Sequence, residues 1–183
     1  MHIKTLLTTA LIMSVVFLGQ SQDISNDSQP RDEFKINAFN LIAFTYMDLS
    51  YERLLHEEAS LGVSVLINIG NDNELLDYFR DFSITPYYRQ YFSKQYAEGF
   101  FVEGFGMLNS GEDYYYSFDD QGNETNTGET YTDFALGVSV GGKFVTKRGF
   151  IAEIYTGLGR NLLGDDTAPE IVSRGGISLG YRF

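Results

Sequence analysis

The chain has 183 residues, no cysteine and a formal net charge of −12, from 25 acidic and 13 basic side chains. This acidic balance argues against nucleic acid as a partner, because phosphate backbones attract cationic proteins. Without cysteine, the sequence offers neither a disulfide framework nor a lipoprotein anchor.

The first 21 residues have the features of a secretory signal peptide. His2 and Lys4 precede an apolar run over residues 6–18, which a Gly-Gln-Ser segment follows. The run is shorter than the ~20 residues that a membrane-spanning helix needs. We therefore expect cleavage after Ser21. Residues 22–33 are polar and lack periodicity, which predicts a flexible periplasmic leader.

The rest of the chain alternates between apolar and polar residues in eight segments, and a period of two predicts β-strands. The predicted strands cover residues 34–45, 48–55, 59–69, 82–92, 99–118, 131–146, 150–160 and 171–183. No helix of ten or more residues is predicted here, although residues 73–80 could form one helical turn within a loop. Pro86 lacks the N–H that an interior strand needs, so we expect a bulge at Thr85-Pro86.

The predicted connections alternate in length. Short turns cover residues 56–58, 93–98 and 146–149, and long polar loops cover residues 70–81, 119–130 and 161–170. Short turns at one end and long loops at the other are typical of outer-membrane barrels. The first hairpin, around Tyr46-Met47, is the exception, because we expect it to be tight at the long-loop end.

The last strand carries the clearest pattern. One face holds Ile171, Ile177, Leu179, Tyr181 and Phe183, and the other holds Val172, Arg174, Gly176, Ser178, Gly180 and Arg182. An apolar face opposite small and cationic groups indicates a strand between lipid and a narrow polar lumen. A chain that ends on an aromatic residue, with apolar residues stepping back by twos, resembles the C-terminal strand of Gram-negative outer-membrane barrels. This resemblance implies that Tyr181 and Phe183 form the signal recognised by the barrel assembly machinery.

Once the apolar faces point outward, the charges left inside nearly balance. They are Glu52, Glu103 and Glu153 against Arg89, Lys143, Arg174 and Arg182. An eight-stranded barrel has room inside for side chains only, and buried charges require partners. Residues 34–183 thereby resemble the small membrane domains of the OmpA and OmpX type, which fill the lumen with Glu–Arg and Glu–Lys networks. We expect an all-β, eight-stranded antiparallel transmembrane barrel with up-and-down topology. The network is either a plug that holds the barrel shape, which we favour, or a gated leak.

The fifth predicted strand is long enough to leave the apolar band, which ends near Leu108. About ten further residues at ~3.3 Å each could carry a hairpin ~30 Å beyond that band. Tyr114, Tyr116 and Phe118 share one face of this hairpin. They suit an aromatic girdle at the lipid headgroups, which we favour. The alternative is a surface that binds an extracellular protein, as the resemblance to OmpX-like barrels implies.

Acidic residues cluster in the long loops. They are Asp72, Glu74, Asp77, Asp119, Asp120, Glu124, Glu129, Asp165, Asp166 and Glu170. Clustered carboxylates can bind Ca²⁺ or Mg²⁺ and bridge to lipopolysaccharide phosphates. Solvated loops are the simpler interpretation, because acidic turns are common, and we expect no cofactor and no metal site. The tripeptide Asp166-Thr167-Ala168 resembles a bacterial O-glycosylation acceptor, although such a tripeptide is frequent by chance.

Catalysis is not expected from this sequence. Outer-membrane hydrolases of this shape resemble one another in placing a histidine at the outer rim, whereas His56 falls in a predicted periplasmic turn. We expect a non-enzymatic protein of the Gram-negative outer membrane, in contact with outer-membrane lipid and lipopolysaccharide, that supports envelope integrity. Two alternatives stay open: a soluble periplasmic barrel that binds a small apolar ligand as lipocalins do, and a narrow channel.

Overall fold

Eight antiparallel strands close into a single barrel in the computed structural model of the chain. The structure describes residues 30–70, 80–93, 95–118, 124–163 and 168–183, with residues 113–118 and 124–129 described by their backbone alone. The elements are β1 Asp32–Asn37, α1 Ala38–Phe44, β2 Tyr46–His56, β3 Ala59–Asn68, β4 Arg80–Tyr91, β5 Gly99–Phe118, β6 Glu124–Val145, β7 Phe150–Asn161 and β8 Ile171–Arg182.

Each strand pairs with the next along the chain, and β8 returns to pair with β1. The closing register places Glu33 opposite Arg182, and the backbone groups of Asp32 and Phe183 exchange two further hydrogen bonds. The predicted fold class, an eight-stranded antiparallel barrel with up-and-down topology, is therefore confirmed. Among the described residues, no helix is long and apolar enough to cross a membrane.

The two faces of the wall differ in polarity as the alternation predicts. On the outer face, Val138, Phe144 and Leu158 expose 64%, 69% and 63% of their surface. On the inner face, Glu52 and Lys143 are fully buried. Successive side chains of a strand point to opposite sides, so one alternating pattern fixes both faces at once.

The first predicted strand is wrong in its second half. Residues 34–37 belong to β1, but Ala38–Phe44 form the short helix α1, and the connection to β2 is not a tight hairpin. Asn37 caps the helix by accepting a hydrogen bond from the Asn40 backbone N–H at 3.1 Å. Thr45 ends it in the left-handed conformation, with a φ of 57°.

The leader predicted over residues 22–33 also ends too late. Asp32 and Glu33 are the first residues of β1, and the Glu33 side chain is fully buried. Asp32 and Glu33 directly follow the polar residues of the leader, so the sequence pattern does not show that the strand begins with them.

The bulge expected at Thr85-Pro86 is absent. β4 keeps one register with β5 from Ile84–Leu108 to Tyr87–Phe105, and its register shift lies between Arg80 and Phe82. Pro86 points outward and stays opposite Val63 of β3. The cross-strand pairs with β5 are interrupted at Thr85 and Pro86. The missing N–H of proline therefore removes pairs from the ladder, and β4 has no extra residue there.

Aromatic rings share the lumen with the charges, and inward-facing glycines make room for them. A Cβ added at Gly137 would lie 2.3 Å from Cζ of Phe105 and 2.5 Å from the Leu158 carbonyl oxygen. At Gly141 the added atom would lie 2.5 Å from Cζ of Phe101. Small residues in β6 therefore allow large rings from β5 to fill the interior.

Several sequence predictions fall outside the described residues. These are the signal peptide, most of the leader, the helical turn at 73–80 apart from Arg80, and the loop residues Asp72, Glu74, Asp77, Asp119, Asp120, Asp165, Asp166 and Thr167.

Candidate functional site

The candidate site is a network of buried charges in the lumen, to which seven of the eight strands contribute. The carboxylates are Glu33, Glu52, Glu103 and Glu153, and the cations are Lys35, Arg89, Lys143, Arg174 and Arg182. The remaining strand, β3, contributes hydroxyl groups. Each charged side chain points inward because it occupies the inward phase of its strand.

Glu52 lies at the centre of the network. Its Oε2 atom accepts hydrogen bonds from Lys35 at 2.5 Å and Arg89 at 2.9 Å, and its Oε1 atom accepts one from Lys143 at 2.8 Å. The hydroxyls of Tyr91 and Ser60 donate to Oε1 at 2.5 and 2.6 Å. One carboxylate from β2 therefore connects side chains of β1, β3, β4 and β6.

Arg89 holds the other two carboxylates of the predicted set. Its Nε donates to Glu103 at 2.6 Å, and its two terminal nitrogens donate to Glu153 at 2.7 and 2.9 Å. The guanidinium carbon lies 4.2 Å from the centre of the Phe101 ring and 4.6 Å from that of Tyr87. These rings form cation–π contacts and exclude water from the ion pairs.

Two arms extend from this centre toward the two ends of the barrel. Toward the long-loop end, Arg174 donates to Glu103 at 2.9 Å and to the Ser64 hydroxyl at 3.3 Å. Toward the short-turn end, Arg182 donates to Glu33 at 2.8 Å, and Lys143 donates to the same carboxylate at 2.7 Å. Arg182 also donates to the Tyr96 and Ala97 carbonyls of the β4–β5 turn.

The structure thus brings together all seven charged residues singled out in the sequence. Sequence reasoning missed Glu33 and Lys35, which complete the network. Lys35 donates to Glu153 at 2.8 Å as well as to Glu52. In the sequence, Lys35 lies between the apolar residues Phe34 and Ile36, an alternation that places Lys35 on the inner face of a strand. The helix that follows interrupts this alternation, so the period of the strand could not be recognised.

Electrostatic pairing is complete within the network. Each of its nine charged groups has an oppositely charged partner within 3.0 Å. Burying an ion costs several kcal/mol unless such partners and hydrogen bonds replace water. The arrangement is suited to holding seven strands in one relative position.

The remaining predicted site residues lie elsewhere. The side chains of Tyr114, Tyr116 and Phe118 fall outside what the structure describes, but their backbone pairs with β6 up to Phe118–Glu124. Tyr181 contacts Phe150 edge to face at 5.4 Å, and Phe183 is exposed at the short-turn end.

Of the other candidates for chemistry in the sequence, His56 and Glu170 have side chains that the structure describes. His56 is exposed at the end of β2, where its Nδ1 accepts a hydrogen bond from the Glu58 backbone at 3.3 Å. Glu170 forms an exposed salt bridge with Arg160. Among the described residues, no group of three or more His, Cys, Asp or Glu side chains could hold a metal ion.

Comparison with known proteins gives one clear result. No protein-family model and no curated protein matches the sequence. The structure is similar to the crystal structure of the N-terminal β-barrel domain of Pseudomonas aeruginosa OprF, with a TM-score of 0.58 over 85% of this chain and 98% of that domain. The fold is shared. The sequence identity is 11%, so the likeness concerns the architecture alone.

Proposed function

We propose that the protein is a non-enzymatic barrel of the Gram-negative outer membrane that supports the envelope structurally. The observation that carries this proposal is the polarity of the wall. Among the described side chains, apolar residues predominate on the outer face of the strands from β2 to β8, while the nine charged side chains of the network are buried inside. A closed barrel satisfies its backbone hydrogen bonds within itself, which is the condition for a strand to lie in hydrocarbon.

The alternative of a soluble lipocalin-like barrel needs the opposite orientation. Leu136, Val138 and Val140 would have to line a pocket, and Glu103 and Glu153 would have to face water. In the structure, these three apolar residues are exposed and both glutamates are buried. A water-soluble protein rarely exposes so large a continuous apolar surface, so the orientation supports the membrane location.

The paired lumen supports a plug over a channel. An open aqueous pore needs a path between side chains, whereas the charges across this lumen are joined by hydrogen bonds of 2.5–2.9 Å. We therefore expect purified protein to leave planar lipid bilayers sealed. Discrete conductance steps that disappear when the protein is omitted would show that the lumen conducts, and the channel interpretation would then hold.

Gel mobility of the outer-membrane fraction tests the location. We expect the protein to require detergent for extraction and to migrate differently before and after boiling, because a closed barrel resists the denaturing detergent until heated. Release with the periplasmic fraction, without a heat-dependent shift, would contradict the proposal. The partners implied by this location are outer-membrane lipid, lipopolysaccharide and the barrel assembly machinery.

A second function, binding of an extracellular protein, is favoured by the β5–β6 hairpin. Among the described residues, the pairing of β4 with β5 reaches Gly111, and the pairing of β7 with β6 reaches Ala135. From Glu112–Thr130 to Phe118–Glu124, the described residues of β5 and β6 pair with each other. Seven residues at ~3.3 Å each carry this ribbon about 23 Å past the neighbouring strands. A projecting two-stranded ribbon offers both a strand edge and side chains to a partner.

Shortening the ribbon between Gly111 and Tyr131 tests this second function. We expect the shortened barrel to keep its heat-dependent shift and to lose binding to cells or matrix. A matched variant keeps the ribbon length but replaces Tyr114, Tyr116 and Phe118 with threonine, which separates aromatic recognition from strand addition. Unchanged binding after shortening would remove the ribbon from the proposal.

A further inference from the structure

The barrel wall is built differently between β2 and β8 than elsewhere. β1 is short, so its pairing toward the long-loop end stops at Ile36 opposite β2 and at Asn37 opposite β8. Beyond that level, residues 46–48 of β2 and 171–177 of β8 pair, within the described chain, only with β3 and β7. Helix α1 lies between these two stretches and contacts both strands. We call this part of the wall the helical seam.

Side chains supply the hydrogen bonds at the β8 edge of the helical seam. Carbonyl groups of alternate residues in an antiparallel strand point to the same neighbour. Phe183 bonds toward β1, so the carbonyls of Gly175 and Ser173 point toward the seam. Asn37 Nδ2 donates to the Gly175 carbonyl at 3.1 Å, and Arg80 Nη2 donates to the Ser173 carbonyl at 2.6 Å. Among the described residues, the β8 edge of the seam is therefore held by side-chain hydrogen bonds in place of a strand ladder.

A cavity of about 330 Å³ lies behind the helical seam. Inward-facing Ser64, Thr85 and Arg174 line one part of it, and outward-facing Thr156 and Gly175 line another. Because residues of both phases of the wall line the same space, the cavity reaches into the wall at the helical seam. Its volume falls within the range of small-molecule sites.

Phe39 of α1 stands at the junction between the cavity and the outer surface. Besides lining the cavity, it borders an apolar groove on the outside of the barrel together with Val140, Ile154 and Ile177. None of the described residues that line the groove is charged, and the groove crosses the outer side of β5–β8 next to α1. An alkyl chain lying in this groove would be continuous with the cavity.

The inner end of the cavity is polar, and one of the guanidinium groups that line it, Arg174, also pairs with Glu103 of the lumen network. Arg80 and Arg174 line it, with Asp48 as the one carboxylate. Asp48 accepts hydrogen bonds from Asn37 at 3.0 Å and Asn40 at 2.9 Å, which hold it at the rim formed by α1. An anionic group placed between the two guanidinium groups would gain charge-assisted hydrogen bonds.

We propose that the barrel binds a single-chain amphiphile with an anionic headgroup, for which a long-chain carboxylate is the simplest case. The headgroup binds near Arg174 and Arg80, and the alkyl chain leaves through the helical seam past Phe39 into the outer groove. The ligand reaches the site from the lipid phase, so this inference rests on the membrane location proposed above.

A photoactivatable long-chain carboxylate tests the site in phosphatidylcholine vesicles that contain the purified protein. After irradiation, peptide mass mapping should find saturable labelling on α1 and on cavity-lining residues such as Thr156, displaced by excess palmitate. Labelling spread evenly over the outer faces of β3–β6, without saturation, would overturn the site. A heat-dependent gel shift of the same sample separates the two proposals: its absence contradicts the membrane barrel, whereas its presence without saturable labelling contradicts only the binding site.

A matched pair of variants locates the ligand. Thr85→Phe fills the cavity from inside, whereas Ile84→Phe adds a similar ring on the outer face of the same strand. We expect at least a tenfold loss of saturable labelling for the first and none for the second. If Thr85→Phe fails to show the heat-dependent shift, Ser64→Leu fills the same cavity with a smaller side chain. Equal labelling of a folded filling variant and the control would overturn the proposal.

The headgroup is tested by competition. A long-chain alcohol of equal length should displace the label about tenfold less effectively, because it lacks the charge that strengthens hydrogen bonds to guanidinium. Equal displacement by the alcohol would contradict the anionic headgroup.

Discussion

Arg89 and Glu153 are joined across the lumen by two hydrogen bonds of 2.7 and 2.9 Å. They belong to β4 and β7, which are not neighbours in the barrel, so the pair connects separate parts of the wall. Arg89 also donates to Glu52 and Glu103. One guanidinium thus pairs with carboxylates from three strands.

Replacing Arg89 with methionine should strongly destabilise the barrel. The change keeps most of the side-chain volume but leaves three buried carboxylates short of a cation, and breaking a buried pair typically costs ~3–5 kcal/mol. Guanidinium unfolding in detergent micelles measures the loss. The control is Arg53→Met, which removes a half-exposed salt bridge to Asp32 and should cost no more than ~1 kcal/mol. Equal losses in the two variants would show that the buried network adds no special stability.

Gly137→Ala should destabilise the barrel far more than Gly104→Ala. The new methyl group at Gly137 would overlap Phe105 and the Leu158 carbonyl, whereas an added Cβ at Gly104 meets no atom within 4 Å. Overpacking of this kind costs ~1–3 kcal/mol. The fraction of heat-shifted protein after refolding into detergent reports the difference. Indistinguishable refolding of the two variants would mean that the lumen is less tightly packed than the structure indicates.

Asn37→Ala should loosen the helical seam without opening the rest of the wall. The substitution removes the cap of α1 and the donor to the Gly175 carbonyl, and loss of a helix cap costs ~1 kcal/mol. Hydrogen exchange should accelerate about fivefold at the Asn40 amide, as expected for that energy. Amides in the paired centre of β6 serve as the internal control. Uniform acceleration in both regions would indicate global destabilisation.

Phe183→Ala should separate folding from cellular assembly. The Phe183 side chain is exposed, and its backbone hydrogen bonds with Asp32 survive the substitution. We therefore expect normal refolding in detergent but a reduced amount of protein in the outer membrane of cells, since the resemblance to outer-membrane barrels assigns recognition to the terminal aromatic residue. A variant that reaches the membrane at the normal level would remove Phe183 from the assembly signal.

Sequence reasoning predicted the barrel because the period of two dominates most strands. In β7 and β8, apolar residues such as Ile154 and Leu179 recur at every second position, and burial on one face leaves no other register. β6 was predicted too short, because residues 124–130 read as a polar loop and their described strand pairing is with β5. A two-stranded ribbon needs no buried face, so no apolar pattern marks its β6 half.

The helix and the missed network residues share one cause. Seven residues are too few to show a helical period, and apolar Phe39, Leu41 and Ile42 continue the composition of the strand before them. With the phase of β1 unknown, the direction of Lys35 could not be assigned. The role of Glu33 required the closing register with Arg182, which is a contact between the two ends of the chain.

The pairing of Glu33 in β1 with Arg182 in β8 bears on the order of folding. Neither charge has this partner until the first and last strands meet, so an unclosed sheet leaves both groups dependent on water. A partly assembled barrel would have to hold that water inside while its outer face enters lipid. Closure and dehydration of the interior should therefore occur together, as one cooperative event without a stable half-formed species.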